Sequence, residues 1–253
     1  MTNKLIYFIG NWKMFGGFNS IKIIERLYRF SLNFRKLQKK YKIILCVPNT
    51  LIHFFSKKYK SKHIFLGGQN CHYSQKNGPF TGSVSASMIK EAGAKYIILG
   101  HSDNRAEGDT PKIIKEKIYS SLNQNLNVIF CIGETFKQKK EKQTFSVLKK
   151  QILDSVDKNK KFNKIIFAYE PVWSIGSGNI PKIYELKKIF NFIKKEIKKN
   201  FRLKKFPTVL YGGSVSEKNI GVFSPISEID GFLIGGASLS SKKFIDIIKN
   251  YYT

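Results

Sequence analysis

Short apolar runs recur along this chain, and between them apolar residues return at helical spacing. Eight runs have the β-branched and aromatic make-up of buried strands: Ile6–Asn11, Ile43–Val47, Ile64–Gln69, Tyr96–Leu99, Val128–Cys131, Ile165–Tyr169, Val209–Tyr211 and Phe232–Ile234. Ile183–Ile197 shows the intervening pattern best. There Leu186, Ile189, Phe190, Ile193 and Ile197 share one face and lysines take the other. This alternation predicts βα units around a parallel sheet, and eight units in about 250 residues fit a (β/α)8 barrel. No Pro/Gly/Ser-rich linker divides the chain, so residues 1–253 read as a single α/β domain. A doubly wound open sheet alternates similarly. Against it, the first strand runs into Gly10-Asn11-Trp12-Lys13 instead of a dinucleotide fingerprint, and no G-x-x-x-x-G-K-[ST] phosphate loop is present.

A hydrophobic fraction of 42% over 253 residues suffices for a large core and argues against wholesale disorder. No uninterrupted apolar segment approaches the roughly 20 residues that cross a bilayer. Met1-Thr2-Asn3-Lys4 leads straight into the first strand, too short for a secretory segment, so no membrane partner is expected. Three cysteines, Cys46, Cys71 and Cys131, lack metal-ligand spacing, and their odd number points to a reduced, cytoplasmic compartment. Charge is the anomaly: 45 Lys and Arg against 17 Asp and Glu give +28. Lysine pairs such as Lys187-Lys188 and Lys194-Lys195 fall on helical stretches, and the chain is rich in Asn, Ile, Phe and Tyr, a bias of AT-rich coding. The excess therefore reads as solvated helix faces, with nucleic acid or another acidic partner as the rival reading.

The polar residues that follow the strands carry the chemistry. Strand six delivers one carboxylate, Glu170, and Pro171 then bars the strand from continuing. The following loop, Val172-Trp173-Ser174-Ile175-Gly176-Ser177-Gly178, has a stiff start and a pliant end, as a water-excluding lid over a proton abstraction would need. Strand one ends in Asn11 and Lys13, and strand four in His101-Ser102-Asp103. Strands seven and eight end in Gly212-Gly213-Ser214 and Gly235-Gly236, candidate phosphate cradles because glycine lets the main chain approach a ligand. In a barrel all these ends lie on one face.

In order along nearly the whole chain, several stretches resemble the triosephosphate isomerase family. They are Gly10 to Met14, Gly68 to Asn70, Asn77 to Gly82, Gly100 to Ser102, Cys131 to Thr135, Ala168 to Gly178, Tyr211 to Val215 and Gly231 to Leu239. The resemblance implies a TIM barrel that interconverts dihydroxyacetone phosphate and glyceraldehyde 3-phosphate through an enediol(ate), without cofactor or metal, in glycolysis and gluconeogenesis. It implies Glu170 as base, His101 bridging the two substrate oxygens, Lys13 supplying positive charge and Asn11 a hydrogen bond. Asp103 and Ser102 would support them. Gly176, Ser214, Gly235 and Gly236, with Asn11 and Lys13, would hold the substrate and its phosphate. It also implies a homodimer in which Thr81, on the Gln69–Gly82 connection, lies closest to the partner's site. No nucleic-acid partner is expected.

The chain departs from the family pattern after Ser102, where Asp103-Asn104-Arg105 stands in place of Glu-Arg-Arg. A shorter carboxylate at 103 is expected to hold Lys13 less tightly. Asn104 and Thr110 are expected to have replaced one former ion pair together. Asn179 stands in the lid where a lysine is common. The rivals are another phosphosugar isomerase on the same barrel and a basic binding protein that uses an inactive barrel as scaffold.

Overall fold

Eight parallel strands pair in sequence order and close on themselves in a computed structural model that describes residues 4–34, 40–59, 61, 63–157 and 162–253. The strands are β1 (Ile6–Asn11), β2 (Tyr41–Cys46), β3 (Ile64–Gly68), β4 (Tyr96–Leu99), β5 (Asn127–Ile132), β6 (Ile165–Tyr169), β7 (Val209–Tyr211) and β8 (Gly231–Ile234). Closure is direct: β1 pairs with β2 on one side and with β8 on the other, for example through Phe8 opposite Ile43 and Phe232. All eight runs expected from the sequence are strands. Four match at both ends, and the ends of β2, β3, β5 and β8 shift by one or two residues; Val47 and Gln69, for example, lie just past the ladder. The reading of Met1-Thr2-Asn3 lies outside the described residues.

The helices are α1 (Ile21–Phe34), α2 (Asn49–Lys58), α3 (Ala86–Glu91), α4 (Ser102–Ala106), α5 (Pro111–Asn123), α6 (Phe136–Lys140), α7 (Thr144–Ser155), α8 (Ile183–Asn200) and α9 (Ser241–Tyr252). In α8 the five residues that the periodicity selects are all buried, each contributing roughly 1.5–3 kcal/mol. Its lysines mostly face outward, although Lys194 reaches Asp230 at 2.8 Å. No helix among the described residues is long and apolar enough to cross a membrane.

Side-chain alternation along the strands sorts the core into two layers. Ile9, Ile44, Cys46, Ile98, Ile129, Cys131, Ala168, Leu210 and Leu233 fill the barrel interior. Phe8, Ile43, Leu45, Leu99, Phe130, Phe167, Tyr169 and Tyr211 pack outward against the helices. The same period of two governs the site. One residue past the outward-facing Tyr169, Glu170 faces the mouth of the barrel, and Asn11 follows Ile9 by two positions on the inner side.

Candidate active site

Glu170 is the most constrained of these groups. Its backbone N–H donates to Ile132 O at 2.8 Å, which fixes it against the end of β5. Two glycines shape its slot. A methyl group built on Gly133 would fall 1.8 Å from the Glu170 carbonyl oxygen, and one on Gly212 would fall 2.6 Å from its Cγ. The residue is 4% exposed, and its Oε2 is buried without a hydrogen-bond partner. Its other oxygen, Oε1, lies 3.4 Å from His101 Nε2. Burial pushes the carboxyl above the ordinary carboxylate range, and His101, the Cys131 thiol and Lys13 offset that only in part.

His101 sits at the end of β4 as the N-cap of α4, where its Nδ1 accepts a hydrogen bond from the Asp103 N–H at 3.1 Å. Nδ1 also lies 3.5 Å from Asp103 Oδ2, and the other ring nitrogen, Nε2, faces Glu170. Arg105 joins the neighbouring strand ends, donating to Gly100 O at 2.7 Å and to Cys131 O at 3.0 Å. Ser102 opens α4 beside His101.

Asn11 ends β1, buried, and its Oδ1 accepts from the Lys13 N–H at 3.1 Å. Lys13 has φ +54°, the left-handed region that a non-glycine residue enters only when its surroundings impose it. Its Nζ lies 3.1 Å from Asp103 Oδ2. The shortened carboxylate at 103 therefore still reaches the lysine. Asn11, Lys13, His101 and Asp103 line one open cavity of about 320 Å³ with Asn104. The four groups singled out by their strand-end positions, Asn11, Lys13, His101 and Glu170, thus come together.

At 104 and 110, where one former ion pair is expected to have been replaced, both residues are uncharged. Thr110 is the N-cap of α5, its Oγ1 accepting from the Ile113 N–H at 3.3 Å. The acidic residue here is its neighbour Asp109, whose two oxygens receive the buried Lys117 Nζ at 2.6 and 2.8 Å. Lys117 also donates to Asn70 Oδ1 at 2.9 Å, tying α5 to the connection after β3. A buried ion pair, Lys117 with Asp109, thus lies beside position 110.

The loop after Glu170 starts at a buried Pro171 with φ −60°, makes one turn over Val172–Ser174 and passes through Gly176 and Gly178 with φ +68° and +80°. Ser174 Oγ shares a hydrogen bond with Tyr211 OH at 3.1 Å, and the Gly178 N–H donates to Ser214 Oγ at 3.0 Å. Gly176 and Asn179 are exposed. Gly235 and Gly236, where the chain turns after β8, have open space where a side chain would be. Thr81 is exposed on the connection after β3.

Glu134 was not singled out as a site residue. It lies two residues past the end of β5, whereas Glu170 follows β6 directly, and it is 1% exposed. Tyr169 OH donates to both its oxygens at 3.2 Å, and Trp173 Nε1–H donates to Oε1 at 2.9 Å. It therefore anchors the start of the loop. A carboxylate two residues beyond an apolar strand, before a Thr135/Gln138 capping box, is the signal that would have marked it.

The family model described as triosephosphate isomerase matches residues 6–251. The triosephosphate isomerase of Zygosaccharomyces bailii is 38% identical over 245 residues, covering 95% of this chain and 96% of the relative. That of Dictyoglomus thermophilum is 36% identical over 258 residues, covering 99% and 100%. The crystal structure of the Bartonella henselae triosephosphate isomerase superposes with a TM-score of 0.86 at 31% identity, covering 98% of this chain and 99% of that one. With its closed eight-stranded barrel and matches along nearly its whole length, the chain belongs to the triosephosphate isomerase family, glycolytic enzymes that interconvert dihydroxyacetone phosphate and glyceraldehyde 3-phosphate.

Proposed function

We propose that Glu170 is the single base of this interconversion and that the neutral imidazole of His101 acts on the two substrate oxygens. The carboxylate takes a proton from the carbon beside the carbonyl, the electron pair moves to the carbonyl oxygen, and an enediolate forms. The hydroxyl proton passes to the newly charged oxygen by way of the imidazole, and the carboxyl group returns its proton to the neighbouring carbon as the other oxygen becomes the carbonyl. His101 Nε2–H donates to the oxygen that gains charge, Lys13 supplies a compensating positive charge, and Asn11 adds a hydrogen bond. Only protons change place, so the reaction calls for no redox cofactor. The observation that carries this reading is the buried, unpartnered Glu170 Oε2, with the His101 imidazole 3.4 Å from Oε1. A carboxylate short of partners is a stronger base than a solvated one. Asp103 and Ser102 hold Lys13 and His101 in place.

The substrate phosphate is received by the main chain of Gly235, Gly236 and Gly176 and by Ser214, with the Pro171–Gly178 loop as the lid that excludes water. Exclusion matters because an exposed enediol phosphate can lose its phosphate. The whole chain acts as one domain, in the cytoplasm and without a nucleic-acid partner.

The active form is a homodimer. Met14 is 94% exposed next to Lys13, and Phe15, Phe18, Tyr73, Phe80 and Met88 are also exposed near β1 and β3. Apolar groups clustered in this way favour a protein partner, and Thr81 would approach the partner's Lys13 side. A coupled assay of glyceraldehyde 3-phosphate formation tests the chemistry, with Glu170→Gln as the variant. Wild-type turnover in that variant would remove Glu170 from its role. Light scattering on Phe80→Asp tests the dimer, with a monomer expected.

A further inference from the structure

Strands β4 and β5 pair from Tyr96 opposite Asn127 up to Leu99 opposite Phe130. There β4 stops, while β5 runs on to Ile132 beside β6. Gly100, with φ +70°, turns the chain out of the sheet, so the next rung of the ladder, between residues 100 and 131, is missing. Gly100 and Cys131 are the two residues whose carbonyl oxygens Arg105 binds, through Nε at 2.7 Å and Nη2 at 3.0 Å. One planar guanidinium thus stands in for the lost rung. Gly100 leaves it room, since a methyl group built there would lie 3.1 Å from Nη2.

That substitute rung joins the two halves of the reacting pair. His101 follows Gly100 directly. Cys131 pairs with Ala168 of β6, two residues before Glu170, and Ile132 O accepts from the Glu170 N–H at 2.8 Å. Without the guanidinium, the last tie between β4 and β5 falls one residue further from the site. Both acceptors are main-chain carbonyls, which the end of a ladder leaves short of donors. A rigid fork of N–H groups satisfies two of them at once, and a lysine ammonium has no such fork. The guanidinium also lies 6.0 Å from the centroid of the Phe130 ring.

We propose that Arg105 is a positioning residue for the proton transfers, its guanidinium replacing the missing β4–β5 rung and so fixing the His101 imidazole against the Glu170 carboxyl. The inference rests on the assignment of Glu170 as base with His101 beside it. Arg105 is not among the residues that line the cavity of Asn11, Lys13 and His101, so it acts through the pair and not on the substrate. A displacement on the order of 1 Å costs as much as about 10²-fold in rate.

Arg105→Ala in the coupled assay, with and without added guanidinium ion, tests it. The kcat is expected to fall about 10- to 10²-fold while KM for dihydroxyacetone phosphate stays within about twofold, because the phosphate-binding groups keep their places. Arg105 is half-buried, so a small cation can enter the space its side chain leaves. Guanidinium chloride, below the concentration that unfolds the protein, is expected to restore part of the variant's kcat and to leave wild type unchanged. A residue that served stability alone would show the opposite, since guanidinium weakens a weakened fold further. Arg105→Lys keeps a cation and covers the case in which Arg105→Ala does not fold; its kcat is expected to fall in the same direction at the wild-type melting temperature. In a His101→Gln background the further loss from Arg105→Ala is expected to shrink below about twofold, as both changes act on one pair. An unchanged kcat in Arg105→Lys, no recovery with guanidinium, or the full loss in the His101→Gln background overturns the role of Arg105. Wild-type turnover in Glu170→Gln or His101→Gln overturns the reading of the pair, and the proposal with it, whatever Arg105 does.

Discussion

Glu134 follows β5 and Glu170 follows β6, and burial pushes both carboxyls above the ordinary carboxylate range. Their surroundings differ in how much they give back. Three donor contacts from Tyr169 and Trp173 serve Glu134, and the nearby Lys139 helps to hold it ionised. Glu170 has one oxygen facing an imidazole and the other without a hydrogen-bond partner. A buried charge with its hydrogen bonds made is a structural tie, whereas one left short of them is reactive. Burial alone therefore does not distinguish a base from an anchor; the count of satisfied lone pairs does.

Exchanging the two carboxylates for uncharged groups should separate them most widely. Glu170→Gln is expected to lower kcat by about 10²–10⁴-fold, measured in the coupled assay. It should also raise the melting temperature at neutral pH. The elevated Glu170 pKa means that the folded protein binds a proton more tightly than the unfolded chain. Stability from this group is therefore greatest in acid and declines as pH rises from the ordinary carboxylate value through the elevated one. A neutral amide escapes that decline, and the stability gap between variant and wild type should close on acidification. A melting temperature below wild type at pH 7 would contradict it.

Glu134→Leu should do the reverse. It leaves the Tyr169 hydroxyl and the Trp173 N–H without their acceptor, which costs about 1–3 kcal/mol per unsatisfied group in denaturant titration. The proton-transfer step, followed by solvent hydrogen exchange into product, should persist. A smaller effect is expected in the pH profile. The acid limb of kcat/KM should lie above the ordinary carboxylate value of about 4.5, and Glu134→Leu should leave that limb where it is. Smallest of all is Asp103→Asn. Asp103 is exposed and its pair with Lys13 is screened, so a stability change of about 0–1 kcal/mol is expected in thermal melts. A larger loss would mean that the left-handed Lys13 backbone depends on this contact.

Much of this arrangement was readable in the sequence because period two and period 3.6 leave separate traces. The apolar run up to Tyr169 gave β6, and the alternation along it turns Glu170 toward the mouth. Leu186 to Ile197 gave the buried face of α8. Side-chain partnerships left no such trace. Glu134 was visible only as part of a matching string, since its three donor contacts come from Tyr169 and Trp173, 35 and 39 positions away. Lys139 is one basic residue among 45, and no spacing marks it as the lysine that stacks on the Trp173 ring. The Lys117–Asp109 pair went unmarked, because counting along a loop does not show which residue turns inward.

The tight fit of Gly133 against the Glu170 carbonyl bears on how this enzyme can change. Residue 212 presses on a side chain that can rotate, so alanine there should merely displace the carboxylate. Residue 133 presses on main chain, and the smallest added side chain would prise apart two adjoining staves of the barrel. Random mutagenesis under selection for growth should therefore return every codon family at 133 to glycine long before it exhausts the alternatives at 212.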